Sequence, residues 1–159
     1  MSTQIGSIVE SLGAALTLAF PAYSVIYGQP VENGIRVPTG STIRVHYMQE
    51  RGTYATSQMS GPVRVAPLIA VTLERQFTGT PDSLEAMQEA AELASDLRSE
   101  IEAWVMANAM GTATIPGVSG LWATDYTTTP ARLPIGPGQS RESITIEISL
   151  NYVSTYGGR

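Results

Sequence analysis

The chain has no cysteine, no lysine and one histidine, His46, among its 159 residues, and aromatic residues make up only 7% of it. Without cysteine there is no disulfide framework, no thiolate metal site and no thiol nucleophile. Without lysine there is no Gly-rich phosphate loop closing on Lys-Ser or Lys-Thr. With a single histidine, nucleophilic triads built on an imidazole base have one place to form. The only serine in a suggestive setting, Ser119, lies in Gly117-Val118-Ser119-Gly120, which lacks the spacing of a Gly-x-Ser-x-Gly elbow and reads as a turn. His46 alternates with apolar neighbours and reads as a surface residue on the polar side of a strand.

Charge is also scarce. Charged residues are 14% of the chain against about 25% in average soluble proteins, while hydrophobic residues are 43%. A lightly charged exterior suits a protein whose surface is partly covered by neighbours. All nine basic residues are arginine and the net charge is −5. Guanidinium groups favour fixed, bidentate contacts, which fits a contact-rich surface, although a G- and C-rich coding sequence gives the same inventory. The arginines Arg36, Arg44, Arg51, Arg64 and Arg75 are scattered and form no basic stripe, so tight binding to nucleic-acid phosphates is not expected. Ser11 to Ala22 is apolar but too short to span a membrane and broken by Pro21, and no basic residue precedes Arg36, so neither a membrane span nor a cleaved signal is expected.

What is present is periodic. Ile5, Ile8, Val9, Leu12, Ala15, Leu16 and Ala19 recur every three or four residues, predicting a helix from about Thr3 to Ala19, capped by Ser2 or Thr3 and ended by Pro21. Tyr23 to Tyr27 reads as a strand, followed by a hairpin-like connection through Gly28, Pro30, Asn33 and Gly34. Ile43, Val45 and Tyr47 alternate with Arg44, His46 and Met48, the two-residue period of a half-buried strand. A second such strand carries Val63, Val65, Ile69, Val71 and Leu73 on one face. Pro67 within it, having no N–H, predicts either an edge strand at that point or an interruption by a bulge.

Thr80, Pro81, Asp82 and Glu85 form a helix start. The helix they begin, over Asp82 to Met110, has an apolar stripe of Leu84, Met87, Ala91, Ala94, Leu97, Ile101, Trp104 and Val105. Its acidic face of Glu85, Glu89, Glu92, Asp96 and Glu100 reads as solvated rather than metal-binding, since oxygen-ligand sites draw on loops that wrap the ion. Trp104 lies on the stripe and reads as core. Finally Ile144, Ile146, Ile148, Leu150 and Tyr152 alternate with polar residues along a closing antiparallel strand. The expected fold is α+β, a mostly antiparallel sheet packed against one long helix and an N-terminal helix. It forms one domain over residues 1–159, with irregular loops near 49–62 and 111–140 and at most a short strand at Leu121 to Ala123. In the second loop Trp122, with Leu121 and Tyr126 beside it, has little local core to enter and divides evenly between partner contact and core anchoring.

The order of elements, carried by Ile69-Ala70-Val71-Thr72-Leu73-Glu74, the helix Asp82 to Trp104 and Glu142-Ser143-Ile144-Thr145-Ile146-Glu147-Ile148-Ser149-Leu150, resembles the tail-terminator (tail-completion) proteins of long-tailed bacteriophages. The resemblance spans most of the chain in layout. It implies a non-enzymatic virion protein of the tail or neck, assembled in the host cytoplasm as a hexameric ring. That ring caps the tail tube and joins it to the head-completion (stopper) protein, with DNA passing through its lumen unbound. It carries no catalytic residue, cofactor or metal ligand to this sequence. Under it, Leu121, Trp122, Tyr126 and Arg132 are expected at the subunit interface. Three other readings stay open: another phage neck or tail-tube component; a ligand-binding module with one deep apolar pocket; and a hydrolase using Asp125 or Glu142 with a hydroxyl partner, which requires two carboxylates sharing a pocket.

Overall fold

A computed structural model describes residues 4–28, 40–54, 63–78, 83–109, 115–136 and 139–154. The order of elements is α1 (Gln4–Ala19), β1 (Ser24–Tyr27), β2 (Thr42–Tyr54), β3 (Val63–Thr78), α2 (Leu84–Ala109), β4 (Val118–Gly136) and β5 (Gln139–Ser154). The strands form one sheet in the order β1-β2-β3-β5-β4, antiparallel except for the β1–β2 pair. Both helices pack on one face of it, giving the expected α+β fold.

The alternation read in the sequence divides the sheet into two faces. Ile43 and Val45 of β2, Val65, Ile69, Val71 and Leu73 of β3, and Ile146, Ile148, Leu150 and Tyr152 of β5 are buried beneath the helices. Ile8, Leu12 and Leu16 of α1 and Leu97, Ile101 and Trp104 of α2 meet them from above. Polar bonds fix the helices: Trp104 Nε1 donates to Ser11 Oγ at 3.0 Å, tying α2 to α1, and Gln4 Nε2 donates to the Gly117 carbonyl at 3.0 Å while its Oε1 accepts from Ser154 Oγ at 3.0 Å. Trp104 is thus a core residue, as its stripe predicts. No helix among the described residues is long and apolar enough to cross a membrane.

Five expectations are corrected. The link after β1 is not a hairpin: Ser24 pairs with Thr42 and Tyr27 with Val45 in the same direction, and parallel neighbours require a crossover. The loop expected over 49–62 is strand as far as Tyr54, past a bulge between Tyr47 and Gln49; residues 55–62 lie outside the described residues. Pro67 lies in central strand β3, not at an edge. The pairs with β5 pass from Val65–Tyr152 to Leu68–Ser149, so the ladder lapses beside the ring that has no N–H and resumes in the same register, without a bulge. The loop expected over 111–140 is largely β4, 19 residues long. Lastly, Leu84 and Met87 head the apolar stripe of α2 yet are 65% and 63% exposed; only the half from Leu97 onward is covered.

The long helix begins at Ser83, whose Oγ accepts from the Ala86 backbone N–H at 3.1 Å, the side-chain cap geometry of a helix start. The proposed capping residues Thr80 and Asp82, like Ser2 and Thr3 for α1, lie outside the described residues.

Candidate interface along the sheet edge

Strand β4 lies at one edge of the sheet, bonded among the described strands to β5 alone. Such an edge presents a row of unpaired backbone donors and acceptors, which folded proteins cover, shorten or interrupt. In β4, Pro130 and Pro134 and bulges between Ser119 and Trp122, between Ala123 and Asp125 and between Pro134 and Gly136 interrupt it. From Tyr126 to Leu133 the pairing with β5 is unbroken and no described strand covers the outer edge, along which Pro130 alone lacks an N–H. The side chains from Trp122 to Thr127 are all exposed.

The four expected interface residues occupy four different environments. Trp122 is 37% exposed, opposite Asn151 on the face away from the helices. Tyr126, 45% exposed, turns to the helix side, where its hydroxyl accepts from Arg98 Nη1 at 3.0 Å and the guanidinium stands 5.4 Å from the ring centroid. Leu121 is 1% exposed and packs in the subunit's own core, on the face opposite to Trp122 as successive strand residues are, so its side chain is not on the exposed surface. Arg132 is half-buried and committed within the subunit. Its Nη2 donates to the Ala86 carbonyl at 3.0 Å and to Glu142 Oε1 at 3.4 Å.

Arg132 belongs to a cluster that pins the start of α2 to the sheet. Glu142, its side chain 1% exposed, lies between Arg132 and Arg75, with Arg75 Nε 3.3 Å from Glu142 Oε2 and Arg75 Nη2 2.6 Å from Glu89 Oε1. Burial pulls the Arg75 pKa down, but the hydrogen bond and charge of Glu89, with those of Glu142, outweigh it and leave the net shift upward. Glu89 is therefore part of an ion-pair network, not of a free acidic face. On the opposite face Arg141 donates to Glu74 at 3.1 Å and to the Gly40 carbonyl at 3.2 Å.

Asp125 pairs with Ser149 and borders the α2–β4 groove, whereas Glu142 pairs with Arg132 and is not among the groove's lining residues, so the structure does not bring the two carboxylates weighed for hydrolysis together. Among the described residues no three His, Asp or Glu side chains are grouped to hold a metal ion. His46 is half-buried rather than fully at the surface; its Nδ1 meets no hydrogen-bond partner among the described residues.

Between α2 and β4 runs an open groove of about 390 Å³, floored by Ile101, Val105, Ile146 and Ile148 and rimmed by Arg98, Met106 and Tyr126. The large apolar side chains that stay exposed fall into two groups on opposite sides of the molecule. Leu18, Tyr27, Tyr47 and Met48 belong to α1, β1 and β2; Leu84, Met87, Met106, Trp122 and Tyr126 belong to α2 and β4. The second group was half legible in sequence, through Trp122 and Tyr126. Leu84 and Met87 were hidden inside a helical stripe that reads as core, and Met106 falls outside that stripe.

No known protein-family model matches the chain, and no curated protein matches it in sequence.

Proposed function

We propose that the chain is a structural virion protein of a long-tailed bacteriophage: a tail terminator that forms a ring at the head-proximal end of the tail tube and joins it to the head-completion protein. It is non-enzymatic, acts in the tail or neck after assembly in the host cytoplasm, and lets DNA through its lumen without specific binding. One observation carries the reading. The open edge of β4 with its exposed Trp122 and Tyr126, and the exposed half-stripe of α2 beside it, form an apolar flank that association of copies would cover. A second apolar flank on the opposite side offers a heterologous contact its partner surface, and heterologous contacts close into rings when the rotation permits. The layout of elements, close to that of tail terminators, and the acidic net charge of −5, which avoids trapping DNA, are in keeping with it.

The α2–β4 groove bears on the ligand-module reading, but it is an open trough on the flank that association covers. The test is native mass, by light scattering or native mass spectrometry over a concentration series. A closed ring, a hexamer above all, supports the proposal; a strict monomer that joins neither purified tail tube nor portal complex overturns it. Trp122→Ala is expected to raise the concentration needed for assembly while leaving the helical circular-dichroism signal intact, and unchanged assembly rejects its interface role. Binding to tail tube rather than portal complex separates a terminator from other neck components.

A further inference from the structure

The ring reading leaves open which edges meet, and the strand registers bear directly on that question. Following the pairs across the sheet, Ser24 lies in one row with Thr42, Glu74, Ser143 and Ala131; Ile26 lies in one row with Arg44, Thr72, Thr145 and Thr129. Thus β1 at one edge and residues 128–131 of β4 at the other occupy the same rows. Their directions are opposite, because three antiparallel steps and one parallel step separate them. A copy placed beside another without displacement along the strands therefore brings β1 against β4 antiparallel. The faces agree as well: Val25 and Tyr27 share the helix side with Pro130 and Thr128, and Ser24 and Ile26 share the other side with Ala131 and Thr129.

Charge is complementary along the same seam. Beyond β1, no other described strand lies beside β2 on that side, and Arg51 is exposed there. Arg51 makes no ion pair or hydrogen bond with any described residue, whereas Arg75, Arg98, Arg132 and Arg141 are all ion-paired within the subunit. Asp125 on β4 is also without a partner among the described residues and exposed. Gln49 lies in one row with Leu68, Ser149 and Asp125, so the free carboxylate of one copy meets the Gln49–Arg51 stretch of the next, with Trp122 alongside. Arg51 and Trp122 lie on the face away from the helices, while Asp125, opposite Ser149, stands at the sheet edge and also borders the α2–β4 groove; Tyr47 and Met48 on one flank and Trp122 and Tyr126 on the other are exposed.

We infer that β1 of one copy pairs antiparallel with β4 of a second copy, Ile26 opposite Thr129, and that Arg51 of the first stands against Asp125 and Trp122 of the second. The inference rests on the ring reading and names its seam. A β4–β4 pairing, by contrast, is isologous and yields a two-fold dimer.

The cysteine-free chain permits a clean cross-linking test. The double variant Ile26→Cys with Thr129→Cys, oxidised gently, is expected to give a ladder of covalent oligomers ending at the native ring size, while each single variant stays uncrosslinked. Charge reversal supplies a second readout that does not depend on disulfide geometry. Asp125→Arg and Arg51→Asp are each expected to weaken assembly roughly tenfold, and the two together to restore it to within about threefold. A native ring with neither the ladder nor the charge rescue overturns this seam and leaves the ring reading standing. A disulfide dimer from Thr129→Cys alone overturns it in favour of β4–β4 pairing. Monomers at every concentration overturn the ring reading and this inference together.

Discussion

His46 is the only side chain of its type in the sequence and the one whose ordinary pKa lies between pH 5 and 8. Burial lowers that pKa, the positive charge of Arg44 lowers it further, and the negative charge of Glu147 opposes both without reversing the shift. A histidine depressed in the folded state binds its proton more readily when unfolded. Its folded form therefore loses stability as pH falls below the unfolded value of about 6.5, and the loss is complete once pH is below the folded pKa. Stability should rise with pH through that window, and His46→Gln should flatten the rise. Urea midpoints at intervals from pH 5 to 7.5 measure it; an unchanged slope in the variant assigns the dependence elsewhere. The position of His46 on the polar face of β2 was readable from alternation, but its burial was not, because that depends on how the side chains of β3 and β5 crowd around it.

At the scale of elements, Glu142 is the fastening that joins α2 to the sheet. It accepts from Arg75 of β3 and Arg132 of β4, each of which also reaches α2, through Glu89 and the Ala86 carbonyl respectively. With a side chain 1% exposed, Glu142 loses two charge-assisted interactions when neutralised. Glu142→Gln keeps the shape and is expected to cost about 2 kcal/mol, less than the ~3–5 kcal/mol of deleting one partner of a fully buried pair, because both guanidinium groups keep another acceptor and some solvent. A denaturation midpoint shifted by less than the measurement error rejects the role. The elements themselves were legible where one face is buried: α1, β3 and β5 announce themselves by period because burial enforces it. Strand β4 did not, since an edge strand exposed along Trp122–Thr127 has little to alternate against, and its prolines and glycines read as loop. The α2 stripe erred in the other direction: Leu84 and Met87 continue a helical period that this subunit leaves uncovered.

That uncovered surface turns into a statement about the whole molecule. If association of copies covers Leu84, Met87, Trp122 and Tyr126 on one flank and Tyr27, Tyr47 and Met48 on the other, folding and assembly are linked. Whatever binds only the folded state then raises its apparent stability by mass action. A second copy is such a ligand, so the unfolding midpoint depends on protein concentration. Each tenfold increase contributes on the order of 1 kcal/mol per subunit, a rise of roughly 2–4 °C in Tm for a chain of this size. Trp122→Ala should lower the midpoint and move its rise to higher concentrations, while Glu142→Gln should lower the midpoint at every concentration alike. A midpoint independent of concentration over two decades within the assembling range contradicts linked assembly. The two variants separate the causes, since one acts on the flank between copies and the other inside each copy.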